Sequence, residues 1–275
     1  MALNEHSKLR ITTVQFAIAW EQSEVNRAVL EKKLSEHLTA NSTDLVVLPE
    51  MFTTGFTMNA LSMAEDMEGE TILWMVEQAK KHAITLTGSV IIKENNRFFN
   101  RLLWVDAQGN IVYYDKRHLF TMANEHHHFS SGEKRSIFEL NGWRILPLIC
   151  YDLRFPVWSR NVALDGSKSI YSPYHMLIYV ANWPAPRRQA WQTLLKARAA
   201  ENQSFVVGVN RVGIDGKNHA YTGDTLLVDP LGSPIYHASK GKEEIATHTI
   251  EARQLLNLRK TFPILDDADS FRFDF

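Results

Sequence analysis

Short apolar runs rich in Val and Ile alternate along this chain with longer stretches whose apolar residues recur every three or four positions. The short runs suit buried strands and the longer ones suit helices with one apolar face, so the pattern restricts the chain to layered α/β architecture. A strand is expected at 10–16. A helix carrying Val25, Val29, Leu30, Leu34 and Leu38 follows, then a buried strand at 44–48. A helical stretch near 70–82 leads into strands at 84–92 and 98–105. The polar Glu94-Asn95-Asn96 between those strands marks a hairpin. Further strands are expected at 111–114, 144–149, 176–181, 204–210, 221–229 and 244–250. Helices are expected after Cys150 through Trp158 and Val162, and over 187–202. The mixture of βα units and hairpins implies a mixed sheet and not an all-parallel barrel. No repeat or Pro/Gly-rich linker divides the chain, so one domain over 1–275 is expected, with 165–174 as a surface loop.

Apolar residues make up 45% of the chain and charged residues 22%, with a formal net charge of -1. That balance belongs to a globular protein and offers no basic field to a phosphate backbone, so nucleic acid is not an expected partner. No apolar run approaches the roughly 20 residues of a membrane-crossing helix, which also argues against a membrane partner. One cysteine and the absence of a recognisable export signal favour a reducing cytoplasm.

That cysteine, Cys150, lies where the apolar run 144–149 gives way to Tyr151-Asp-Leu-Arg154. A lone thiol forms no disulfide within its own chain, so it is either packing or a nucleophile, and a strand exit favours exposure to chemistry. Glu50 stands just after the strand at 44–48, and Lys116 just after the strand at 111–114. In layered α/β proteins strand ends collect at one edge, where clefts form. A carboxylate, an ammonium and a thiol meeting there would supply a base, an electrostatic stabiliser and a soft nucleophile, as amide hydrolysis through a covalent intermediate requires. Taken singly, each has an ordinary alternative: a packed thiol, a solvated loop acid, a surface lysine.

Leu48-Pro-Glu50-Met-Phe52, Tyr114-Asp-Lys116-Arg-His-Leu-Phe120 and Ile149-Cys150-Tyr-Asp-Leu-Arg-Phe-Pro156 resemble the three signatures of the nitrilase superfamily of carbon–nitrogen hydrolases, in the family's order. The likeness runs from the first strand to about Phe271 and includes Arg198-Ala-Ala-Glu-Asn202. The stretches 118–129 and 180–187 are similar to those of bacterial omega-amidases, which remove ammonia from 2-oxoglutaramate and related amides. The resemblance implies an αββα layered subunit that pairs into an eight-layer homodimer. It also implies a Glu50–Lys116–Cys150 triad, with Glu125 as a second glutamate. In the implied scheme Glu50 takes the thiol proton, and Lys116 with the main-chain N–H of Tyr151 holds the oxyanion. Lys116 is expected to tip the thiol toward its charged form.

Arg154, four residues beyond Cys150 on an expected helix, would face the same side and suit a substrate carboxylate, its alternative being an ion pair with Asp152. His126-His127-His128 is not expected to bind metal, because consecutive residues on a strand point to alternate faces. With no CxxC or HExxH motif, no cofactor is expected. Competing expectations are a nitrilase, an N-carbamoyl-amino-acid amidohydrolase, an acyl transferase working through the same thioester, and a non-catalytic binding protein of the same fold. Two departures from the usual pattern, a longer 165–174 stretch and Val157 where many relatives carry an acid, bear on substrate choice and not on the triad.

Overall fold

The computed structural model describes residues 3–40, 42–162 and 173–269. Its first half lays down β1 (Lys8–Gln15), α1 (Ser23–Ala40), β2 (Leu45–Val47), the single turn α2 (Ala60–Met63), α3 (Glu70–His82), β3 (Thr85–Glu94), β4 (Arg97–Val105) and β5 (Ile111–Asp115). The second half adds β6 (Phe138–Leu140), β7 (Trp143–Ile149), β8 (Met176–Ala181), α4 (Arg188–Asn202), β9 (Phe205–Asn210), β10 (Val212–Ile214), β11 (Ala220–Thr222), β12 (Leu226–Val228), β13 (Pro234–His237), β14 (Glu244–Glu251) and α5 (Ala252–Thr261). Two six-stranded sheets result, ordered β14-β1-β2-β3-β4-β5 and β13-β12-β9-β8-β7-β6, with β10 and β11 forming a separate hairpin. Each sheet has three adjacent parallel strands, β1-β2-β3 in one and β7-β8-β9 in the other, flanked by antiparallel ones.

Side-chain alternation along the strands separates the layers. Leu45 and Val47 of β2, and Leu102 and Trp104 of β4, join the cluster shared with the second sheet and with Trp191, Leu195 and Ala199 of α4. The intervening Val46, Leu103 and Val105 pack instead against Leu30 and Leu34 of α1 and Ile72 and Met75 of α3. The order of layers is therefore helix, sheet, sheet, helix, the αββα sandwich that the family resemblance implied. Helix α4 lies close against the second sheet because β9 carries Gly208. A Cβ at that position would come within 2.4 Å of Leu195 Cδ1 and 2.9 Å of Trp191 Cζ2.

The β3–β4 hairpin turns at Asn95 and Asn96, both at positive φ (49° and 58°), the geometry of a tight hairpin turn that Asn tolerates. Three expectations need correction. The helix expected through Trp158 and Val162 is only a 3-10 turn, Cys150–Arg154. Pro156 disfavours helical backbone at Phe155, so the turn cannot propagate. The strand expected at 221–229 is broken into β11 and β12 by Gly223 and Asp224, both at positive φ, where the backbone passes so close to Gln15 that any Cβ on Gly223 would collide with it. Val25, expected on the apolar face of α1, is 45% exposed. The buried position beside it is Asn26, whose side chain bonds Ala19 and the carbonyl of Thr53. Most of the expected loop at 165–174 lies outside the described residues.

Candidate active site

The ends of both sheets converge on one cluster. Beyond β2, Glu50 is fully buried. Beyond β5, the Lys116 backbone N–H still donates to the Asn100 carbonyl on β4 (3.0 Å), so ladder pairing sets Lys116 opposite Asn100. Asn100 shares its strand face with Leu102 and Trp104, a polar residue on an otherwise apolar, inward-facing row. Lys116 Nζ donates to Glu50 Oε1 at 2.8 Å and to both Glu125 oxygens at 3.0 Å. Asn100 Nδ2 donates to the same Glu50 oxygen at 2.8 Å and reaches Glu125 at 3.5 Å. Glu125 also accepts the Phe120 backbone N–H (2.6 Å). The Lys116 ammonium lies 5.0 Å from the Phe56 ring centroid.

The second sheet supplies the sulfur. Cys150 opens the 3-10 turn after β7 at φ 42°, a left-handed conformation uncommon for a side chain of this kind. What holds it there is Asp152, buried two residues on. Its carboxylate accepts the Ile149 N–H (3.0 Å), the Tyr114 hydroxyl (2.8 Å), and the backbone N–H and Nδ1 of His118 (3.0 and 2.8 Å). The His118 ring stacks on Phe155 at 3.8 Å. Asn182, just past β8, links the two sheets: its backbone N–H donates to Glu50 Oε2 (2.8 Å), its side-chain NH2 donates to the Glu50 carbonyl (2.5 Å), and its own carbonyl lies 4.0 Å from Cys150 Sγ.

Glu50, Lys116, Cys150 and Glu125 are thus brought together. Burial works against the charge on Lys116, but the carboxylates of Glu125 and Glu50 outweigh it and push its pKa above the usual lysine value. Burial raises the Cys150 thiol well above its ordinary range, and the Glu50 carboxylate raises it further, with Lys116 only partly offsetting the two. The expectation that Lys116 tips the thiol toward thiolate is therefore corrected: burial and the two carboxylates outweigh one ammonium, and the thiol pKa is held above its ordinary value. Glu125 is also raised, by burial first and then by Glu50, against the pull of Lys116.

A cavity of about 400 Å³ opens above this floor, lined among others by Lys116, Cys150, Tyr151, Arg154, Asn182 and Trp183. The Tyr151 backbone N–H belongs to the first turn of Cys150–Arg154, where amides lack partners within the turn. Arg154 makes no pair with Asp152, whose oxygens are taken. Its guanidinium lies 4.9 Å from the Trp183 ring, at the cavity rim. His126 and His127 lie within the 3-10 turn Glu125–His127, with His128 just after it, so the three are not on a strand as expected, and all are exposed. Among the described residues no group of three His, Cys, Asp or Glu side chains is arranged to hold a metal ion, and no helix is long and apolar enough to cross a membrane.

Asn100, Asn182 and the Asp152–His118 pair were not singled out from the sequence. The signal for Asn100 was a polar residue in an apolar alternation. Asp152 showed no signal beyond its closeness to the thiol.

A model of the carbon–nitrogen hydrolase family matches residues 10–260, and the chain belongs to that family. The omega-amidase YafV of Escherichia coli strain K12 is 43% identical over 266 residues, 96% of this chain and 98% of that one. The 2-oxoglutaramate amidase of Bacillus subtilis strain 168 is 35% identical over 267 residues, 94% of this chain and 97% of that one. XC1258 from Xanthomonas campestris, a CN-hydrolase superfamily protein whose crystal structure carries an arsenic adduct in the active site, superposes with a TM-score of 0.93 at 44% identity, covering 98% of this chain and all of that one (100%). The protein is an amidase of the nitrilase superfamily, a hydrolase acting on carbon–nitrogen bonds.

Proposed function

We propose that this amidase hydrolyses the terminal amide of small 2-oxo dicarboxylic acid monoamides, such as 2-oxoglutaramate and 2-oxosuccinamate, to the acid and ammonia through a thioester on Cys150. The observation that carries the reading is a buried lysine held between two carboxylates, at the floor of a cavity that the Cys150 thiol and the Arg154 guanidinium also line. The similarity to an omega-amidase and to a 2-oxoglutaramate amidase supports the substrate class.

The chemistry follows from the charges. Glu50 takes the Cys150 proton as sulfur attacks the amide carbonyl, so charge moves from carboxylate to thiolate to oxyanion without leaving the buried cluster. Lys116 and the Tyr151 N–H are donors fixed before the oxyanion forms, a contribution of about 3–4 kcal/mol to the transition state for such a donor. The protonated Glu50 then hands its proton to the departing amine, giving ammonia and a thioester. Water enters, Glu50 takes one of its protons, and the hydroxyl displaces the sulfur to release the acid and restore the thiol. Glu125 keeps Lys116 charged and aimed throughout, and Arg154 receives the substrate carboxylate. We further propose a homodimer in the cytoplasm, working without metal or cofactor.

The test is ammonia release from a panel: 2-oxoglutaramate, 2-oxosuccinamate, the corresponding nitrile and an N-carbamoyl amino acid. The 2-oxo acid amides should be turned over with the highest kcat/KM. A panel in which only the nitrile or only the carbamoyl compound is consumed contradicts the substrate class.

A further inference from the structure

We propose that Arg187 is a second substrate-carboxylate residue, forming with Arg154 a two-guanidinium clamp at the cavity mouth that selects amides whose far end is an acid. The inference rests on the amide-hydrolase reading above and adds a residue to which the reading gives no role.

Arg187 and Arg188 are neighbours with opposite fates. Arg188 is committed to Asp224 through a bidentate pair at 3.1 and 2.5 Å. Arg187 lines the same cavity as Cys150 and is half-buried, and among the described residues neither it nor the exposed Arg154 has a carboxylate within ion-pair distance. The acid on the cavity wall, Asp215, is already occupied by the Tyr221 hydroxyl (2.9 Å), His219 Nδ1 (3.2 Å) and the backbone N–H groups of Lys217 and His219 (2.8 and 2.9 Å). Two guanidiniums at one mouth, with no anion left to pair with them, form a site for a carboxylate that arrives with the substrate.

Both are also held in place. Each guanidinium rests on an aromatic ring, Arg187 5.3 Å from the Phe120 centroid and Arg154 4.9 Å from that of Trp183. Each ring is tied to one carboxylate of the floor. The Phe120 N–H bonds Glu125, and Trp183 follows Asn182, whose N–H bonds Glu50. The Trp183 indole N–H donates to the Arg187 carbonyl (2.8 Å), joining the two platforms. The backbone that carries each ring is thereby anchored to the floor by the hydrogen bonds that build it.

The test compares kcat/KM for 2-oxoglutaramate with that for its methyl ester, neutral at the far end, by ammonia release. Arg187→Met keeps the aliphatic stem on Phe120 and removes the fork. It should lower the acid-over-ester preference by roughly 10- to 100-fold, the range for a charge-assisted hydrogen bond. Arg187→Lys, which keeps a charge but not the planar fork, should fall between. A preference within twofold of the wild type in Arg187→Met overturns the clamp, whatever Arg154→Met does, and leaves the amidase reading intact. If the wild type releases no ammonia from either compound, the amidase reading has failed. Calorimetric titration with 2-oxoglutarate then still decides the clamp: it stands if the wild type binds the anion and Arg187→Met binds it at least tenfold more weakly, and falls otherwise.

Discussion

The floor of the cavity and its mouth handle charge in opposite ways. On the floor, Glu50, Glu125 and Lys116 are buried and mutually paired, and Asn100 and Asn182 complete their hydrogen bonds. At the mouth, Arg154 and Arg187 lie on aromatic faces with no counter-ion among the described residues. A charge that must act in the transition state has to be present, desolvated and fixed before substrate arrives. A charge that recognises substrate has to remain unpaired until it does. Changes to the paired charges of the floor should therefore cost turnover and stability together, whereas changes at the mouth should act on substrate preference.

Four changes bear on that division, in descending order of effect. Cys150→Ala should lower ammonia release from 2-oxoglutaramate by on the order of 10⁴-fold or more. Its circular dichroism and melting temperature should match the wild type. Retained turnover in this variant would remove the nucleophile from the account. Lys116→Met should lose most turnover and also be destabilised by about 3–5 kcal/mol in urea, because two buried carboxylates lose the cation they share. A fall in activity with unchanged stability would mean that the floor is wetter than its geometry implies.

Asn100→Leu should lower kcat by roughly 10- to 100-fold with KM little changed, since it removes a hydrogen bond to Glu50, the proposed general base, and touches nothing at the mouth. A rise in KM alone would blur the distinction between the two regions. The smallest effect lies remote from both. His175 is buried with its pKa lowered to about 3, by burial first and then by Arg259 and Arg144, and its Nδ1 accepts the Arg144 N–H. Because the folded value lies below the unfolded one, its contribution to stability is complete above about pH 6.5 and is lost as pH falls toward 3, by up to about 1.4 kcal/mol per pH unit. Urea titrations of His175→Asn should show a shallower loss of stability between pH 6.5 and 4. An unchanged slope would show that His175 does not carry this term.

How far the molecule was legible depended on where chemistry coincided with pattern. The β3–β4 hairpin and helix α3 stand where periodicity and turn residues placed them, because local preference and burial agree there. Glu50, Lys116 and Cys150 were visible because each closes an apolar run. Asn100 was hidden because the pattern reads it as an interruption, and its meaning depends on Lys116 being paired opposite it. The helix after Cys150 was misplaced because apolar spacing ignores what Asp152 and Pro156 do to the backbone. The charge state of the sulfur was also beyond sequence. It depends on the sum of burial and two carboxylates against one lysine, and only distances give that sum.

The central claim is that Cys150 attacks the amide while Glu50 takes its proton and Lys116 holds the oxyanion. Its most direct test is mass spectrometry of peptides from enzyme quenched in acid during turnover of 2-oxoglutaramate. The substrate's acyl group should appear on the peptide carrying Cys150, absent before substrate is added and absent in Cys150→Ala. Continued ammonia release with Cys150 unmodified at every time point, and retained in Cys150→Ala, would contradict it.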